Sequence, residues 1–168
     1  PFLIQGDQPF HGYQYLPSYD AVYGTSPAAN TGDPALLAMI APADFRRSYL
    51  VRLEPTFPFS FLNVLAPAGA TLLLDNVLIT PTWEYIGTLA GVQYGCMRIP
   101  VASGTHRLVS PNRRIGLTVS GISHYGSYAH LGGLGSDCPP NADGWIKDVD
   151  DDDGSEPDPS SAALWDSP

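Results

Sequence analysis

Four histidines, two cysteines and a run of aspartates are the residues of this chain whose types could do chemistry. His11, His106, His124 and His130 with a nearby acid would compose a metal site of the cupin kind, three imidazoles and a carboxylate inside a β-barrel. That site needs two histidines two positions apart on one strand and a glutamate shortly after. Here His124 and His130 are six apart across a Gly-bearing stretch, and His106 stands between Thr105 and Arg107. The histidines therefore read as satisfied or exposed imidazoles, and a cupin-like metal-dependent enzyme is an alternative that the spacing disfavours. Gly121-Ile122-Ser123-His124 begins like a nucleophile elbow but lacks the closing Gly. Glu54, Glu84 and the body aspartates sit mostly among turn-formers, so no carboxylate pair for glycoside hydrolysis stands out. No catalytic residue is expected, and no enzyme.

Asp148, Asp150, Asp151, Asp152 and Asp153, followed by Gly154, invite a calcium reading, since calcium loops place carboxylates at alternate positions before a turning Gly. Neither frame fits. One puts Val149 in the first ligand position, the other puts Asp153 where Gly belongs, and the twelfth position falls on Pro159 or Ser160 rather than Glu. The stretch reads as a solvated acidic linker rich in Pro and Ser, with weak calcium association as the alternative and no other cofactor. Ala162–Trp165 is a small apolar cluster after the acids.

The charge follows this division. The net −9 lies wholly in residues 137–168, which hold ten acids against Lys147, while residues 1–136 balance seven acids with seven Arg. Nothing would neutralise several phosphates, so nucleic acid is excluded as a partner. No apolar run approaches the roughly 18 residues of a membrane span. Without an initiator Met or a basic-then-apolar leader, the chain reads as a mature form or an excised segment.

The elements come next. Seventeen Gly and seventeen Pro in 168 residues, with no sustained 3.6-residue apolar period, point to an all-β fold. The expectation is an antiparallel β-sandwich, jelly-roll-like, with long loops and at most one helical turn, at Pro42–Arg47. The sandwich domain should span residues 1–138 and the acidic tail or linker residues 139–168. Phe2–Ile4 is a short strand candidate, and Pro9–Tyr23 suits an edge strand and a long loop. The turn-formers of Gly24–Pro34 are exposed, and the apolar Ala35–Ala41 reads as a central strand covered on both faces. Tyr49, Val51 and Leu53 alternate with Leu50, Arg52 and Glu54, Phe61–Ala66 resumes extended structure, and Thr71–Leu74 and Val77–Ile79 flank a tight turn at Asp75-Asn76. Strands at Met97–Val101, Thr105–Val109 and Ile115–Val119 form an antiparallel meander on the turns at Ser103-Gly104 and Ser110–Asn112. His124–Gly133 has no apolar period and reads as an ordered loop. The count is nine or ten strands.

Cys96 opens this meander and Cys138 follows the loop that ends it. A disulfide between them would close a loop of roughly 40 residues and stabilise by about 3–4 kcal/mol on the chain-entropy model. Two free thiols, with Cys96 buried as a small hydrophobe, is the other reading.

Residues 33–138 resemble the IgGFc-binding protein N-terminal domain family. The resemblance rests on Gly32-Asp33-Pro34-Ala35 before an apolar run, on Phe45-Arg46-Arg47-Ser48-Tyr49, and on Phe61-Leu62-Asn63-Val64 with Ala66-Pro67-Ala68-Gly69-Ala70 and Leu72-Leu73-Leu74-Asp75. Gly104-Thr105-His106-Arg107-Leu108 and the Gly116–Tyr128 stretch complete it. Asn76, where the family shows Gly, and Ser120-Gly121-Ile122 are departures that touch a turn and a packing position. The resemblance implies an all-β module of a secreted or cell-surface protein, here a bacterial, myxobacteria-like member, used for adhesion and binding without catalysis. It places the chain outside the cytosol, which favours the Cys96–Cys138 disulfide. Partners would be a protein or glycan ligand at the surface, other domains, or copies of the same protein. The aromatic-rich segments, Tyr13, Tyr15, Tyr19, Tyr23, Tyr125 and Tyr128, are the candidate binding residues, because Tyr offers large contact area at low entropy cost. A carbohydrate-binding module, whose platforms are also aromatic, is the rival reading.

Overall fold

Alternation along the chain sets the architecture of the computed structural model, which describes residues 2–16, 32–80, 82–124 and 126–134. These residues form eleven strands: β1 (Tyr13–Leu16), β2 (Ala35–Ala38), β3 (Ser48–Leu53), β4 (Phe59–Pro67), β5 (Leu72–Leu74), β6 (Val77–Ile79), β7 (Glu84–Leu89), β8 (Val92–Val101), β9 (Gly104–Val109), β10 (Gly116–Ser123) and β11 (Gly126–Leu131). A single 3-10 turn, Pro42–Asp44, with Pro at its start, is the helical content among the described residues. Every strand pairing is antiparallel. Two sheets, in the orders β11-β10-β4-β8-β7 and β3-β9-β5-β6, stack as a sandwich, and β1 and β2 pair as a separate ribbon.

The core is what the inward positions supply. Tyr49, Val51 and Leu53 of β3, with Leu72 and Leu108, face Leu62, Val64 and Ala66 of β4 and Leu117 and Val119 of β10. Burying each of these larger side chains stabilises by about 1.5–3 kcal/mol. Tyr49 also closes a polar account, since its hydroxyl donates to the Ile115 carbonyl at 2.6 Å. Two hairpins turn on left-handed residues: Asp75 and Asn76 between β5 and β6 (φ 51° and 66°), and Ala90 and Gly91 between β7 and β8 (φ 48° and 79°). Such pairs match the strand twist of a two-residue turn.

Several expectations need correction. β8, β9 and β10 are not a meander. β8 and β10 each flank β4 in one sheet while β9 lies between β3 and β5 in the other, so both short connections cross the sandwich. The expected loop after His124 is largely β11, paired with β10 from Thr118↔Leu131 to Ser123↔Gly126. The run Ala35–Ala41 is not a covered central strand. Its strand is Ala35–Ala38 in the ribbon, where Leu36 stands half exposed. Phe2–Ile4 forms no strand. The boundary expected after residue 138 lies outside the described residues.

The ribbon is anchored beside β11. The Gly32 N–H donates to the Ser123 carbonyl at 2.9 Å, and the Asp33 N–H to Ser127 Oγ at 2.7 Å.

Candidate functional site

Of the tyrosines expected at a binding face, the structure brings two together. Tyr13 and Tyr15 are 61% and 72% exposed on the same side of β1, roughly 7 Å apart by strand rise. Tyr15 pairs across the ribbon with Leu36, which extends the apolar strip. Tyr19, Tyr23 and Tyr125 lie outside the described residues.

Tyr128 belongs to the interior instead. It pairs with Gly121, and a Cβ on Gly121 would collide with the Tyr128 ring. Glycine thus makes the space that the ring fills. The ring meets Phe57 edge-on at 4.7 Å between centroids and stacks on His130 at 5.8 Å, and its hydroxyl shares a hydrogen bond with Ser60 Oγ. Its aromatic surface is already used.

His106 is held at both ring nitrogens. Nδ1 lies 2.7 Å from Asp75 Oδ2, and Nε2 lies 3.0 Å from the Ala102 carbonyl. Both acceptors favour a proton on each ring nitrogen. Partial burial pulls the His106 pKa down, but these hydrogen bonds outweigh it and hold the pKa above its ordinary value. Asp75 is held below its own, first by the hydrogen bond from the Arg107 N–H and then by His106. This is the geometry of a His–Asp dyad turned to structural use, with no ring nitrogen open to a nucleophile. The buried Ser110 hydroxyl has no hydrogen-bond partner, so it does not join His106 in a triad. Among the described residues no three His, Cys, Asp or Glu side chains gather where they could hold a metal.

Asn63, on the outward face of the five-stranded sheet, was not singled out from the sequence. Its Nδ2 donates to Ser120 Oγ at 3.1 Å, its Oδ1 accepts from Arg98 Nε at 3.0 Å, and the Arg98 guanidinium lies 5.3 Å over the Phe61 ring. The register sets Asn63 beside both Thr118 and Arg98. The network satisfies itself.

The outward face of the four-stranded sheet was also passed over. Leu50 and Leu78 stand 71% and 65% exposed there, with Leu73 and Val109 half-buried between them. Arg107 pairs with Leu50, and Arg52 follows two positions along β3. The signal was available in Ser48-Tyr49-Leu50-Val51-Arg52-Leu53, whose alternation turns a leucine outward.

Cys96 is half-buried opposite Glu84 in β8, and burial first and Glu84 second push its thiol pKa up. Cys138 and the acidic candidates Asp148, Asp150, Asp151, Asp152 and Asp153 lie outside the described residues. No helix among the described residues is long and apolar enough to cross a membrane.

The profile of the IgGFc binding protein family matches residues 1–121, most of the chain, and runs to Gly121, two residues before the end of β10. The match also takes in β1, which lies ahead of the stretch legible as similar in the sequence, whereas β2 falls within it. No curated protein and no solved structure matches the chain.

Proposed function

Because the chain belongs to the IgGFc binding protein family, we propose that it is an extracellular or cell-surface module that binds a protein ligand and carries out no reaction of its own. The family match over residues 1–121 carries this reading. It is supported by the use to which the reactive side chains are put: His106 is held between two acceptors, and the Asn63 network closes on itself. What remains for recognition is exterior surface, where aromatic and aliphatic side chains supply most of the energy of a protein interface. The extracellular setting accommodates the Cys96–Cys138 disulfide and an acidic linker that associates weakly with calcium, or not at all.

A second reading, a carbohydrate-binding module, draws on one observation: the adjacent exposed rings of Tyr13 and Tyr15, which form a platform a sugar ring could stack on. Binding to arrayed secreted proteins, immunoglobulin Fc among them, and in parallel to arrayed glycans separates the two. Saturable binding to a protein supports the first reading. Binding to glycans alone, lost in Tyr13→Ser with Tyr15→Ser, would replace it.

A further inference from the structure

The outward face of β3-β9-β5-β6 combines exposed apolar side chains with a net positive charge, two arginines against the exposed Glu54 just past the end of β3. Leu50 and Leu78 are mostly exposed, and the register lines up Val109, Leu73 and Leu78 across neighbouring strands. Arg52 and Arg107 stand among them, exposed. None of the four strands contains an Asp or a Glu. Beyond the Ser48–Val109 end the Arg47 guanidinium donates to the Pro111 carbonyl, and Arg113 is exposed in the β9–β10 turn.

A solvated sheet face ordinarily alternates inward apolar with outward polar residues. Two exposed leucines on such a face carry a desolvation gain that is realised only when something covers them. The charge selects what that is. A second copy presenting the same face would set Arg52 and Arg107 against their equivalents, a like-charge arrangement that disfavours self-association. The face has no aromatic side chain on which a sugar could stack, unlike the Tyr13–Tyr15 strip. An acidic segment with apolar side chains satisfies both features.

We propose that this face is a docking surface for an acidic segment of a partner protein that carries leucine or aromatic side chains. The leucines cover the apolar row and the carboxylates pair with Arg52 and Arg107. The proposal rests on the protein-binding reading above and assigns it a surface and a ligand chemistry.

The test uses the full chain and three fluorescent peptides of about twelve residues, alternating Asp with Leu, Lys with Leu, and Asp with Ser, read by anisotropy. The Asp–Leu peptide is expected to bind, and the other two to bind at least about tenfold more weakly. Its affinity should fall as sodium chloride rises from about 50 to about 300 mM. Leu50→Ser with Leu78→Ser, and separately Arg52→Gln with Arg107→Gln, should each weaken it by about tenfold or more while the melting temperature stays unchanged, because these side chains are exposed. Unchanged affinity in both pairs of variants overturns the assignment, as does equal binding of the Lys–Leu peptide. Two other occupants would show themselves. Dimerisation in sedimentation that disappears in the leucine variant assigns the face to a second copy, and glycan binding that disappears there assigns it to sugar. Either result overturns the proposal. A protein ligand found on the arrays that binds wild type and both variants equally would leave the protein-binding reading standing and remove only this surface.

Discussion

Nδ1 of His106 and Oδ2 of Asp75, 2.7 Å apart, join the middle of β9 to the tight turn between β5 and β6. The same carboxylate accepts the Arg107 N–H through Oδ1 at 2.8 Å, and the Asp75 N–H donates back to the Arg107 carbonyl at 2.8 Å. A left-handed turn residue thus continues the sheet's hydrogen bonding with its side chain.

The pair makes stability depend on pH. His106 has a pKa above its ordinary 6.5, so its contribution is complete below that value and is lost as pH rises through the raised one. Asp75 has a pKa below its ordinary 3.8, so its contribution is present above that value and is lost as pH falls through the lowered one. The melting temperature of wild type should exceed that of His106→Gln most at about pH 5.5, and the gap should narrow by about pH 8.5. Nuclear magnetic resonance titration of His106 should show its pKa fall in Asp75→Asn. A gap that widens with pH contradicts the assignment.

Gly121→Ala should destabilise by about 1–3 kcal/mol, because the new Cβ drives into the Tyr128 ring. With Tyr128→Ala already present the same change should cost much less. Denaturant unfolding of the four proteins of this cycle measures the coupling, and additive costs would show that the ring does not occupy that space.

Leu62 and Val119 are fully buried partners across β4 and β10. Leu62→Ala should cost about 2–5 kcal/mol. At the surface, Ala90→Gly should stabilise by about 0.5–1 kcal/mol, since a left-handed φ of 48° burdens alanine and not glycine. Chemical denaturation checks both, and a loss on Ala90→Gly would contradict the turn.

Protein purified without reductant should titrate no free thiol in denaturant if Cys96 and Cys138 are joined. Two thiols would exclude the bond, and the raised pKa of Cys96 would then make it slow to react in the folded state.

Much of this fold could be read from alternation alone. Tyr49, Val51 and Leu53 announce the inward face of β3, and Asp75-Asn76 announces the turn between β5 and β6. Which sheet a strand joins could not be read. Ala102-Ser103 and the turn after Ser110 are as short as hairpin turns, yet each carries the chain across the sandwich, and period-two patterning does not record the partner. β11 was hidden because Gly126, Ser127 and Ala129 give it no apolar period, and its one large inward ring, Tyr128, fits through the absence of a side chain on Gly121. The same fact explains why Tyr128 looked like a binding residue. Tyr13 and Tyr15 did become an exposed pair, while the Leu50–Leu78 face needed the cross-strand register to bring residues from four strands onto one surface.

Recognition of a protein without chemistry can be read by isothermal titration of the full chain with the strongest protein found on the arrays. Saturable binding of about −8 kcal/mol, corresponding to micromolar affinity, is expected. That binding should be unchanged by a chelator, with the ligand recovered at its original mass. Saturation by a glycan and by no protein, or recovery of a cleaved or altered ligand, would contradict it.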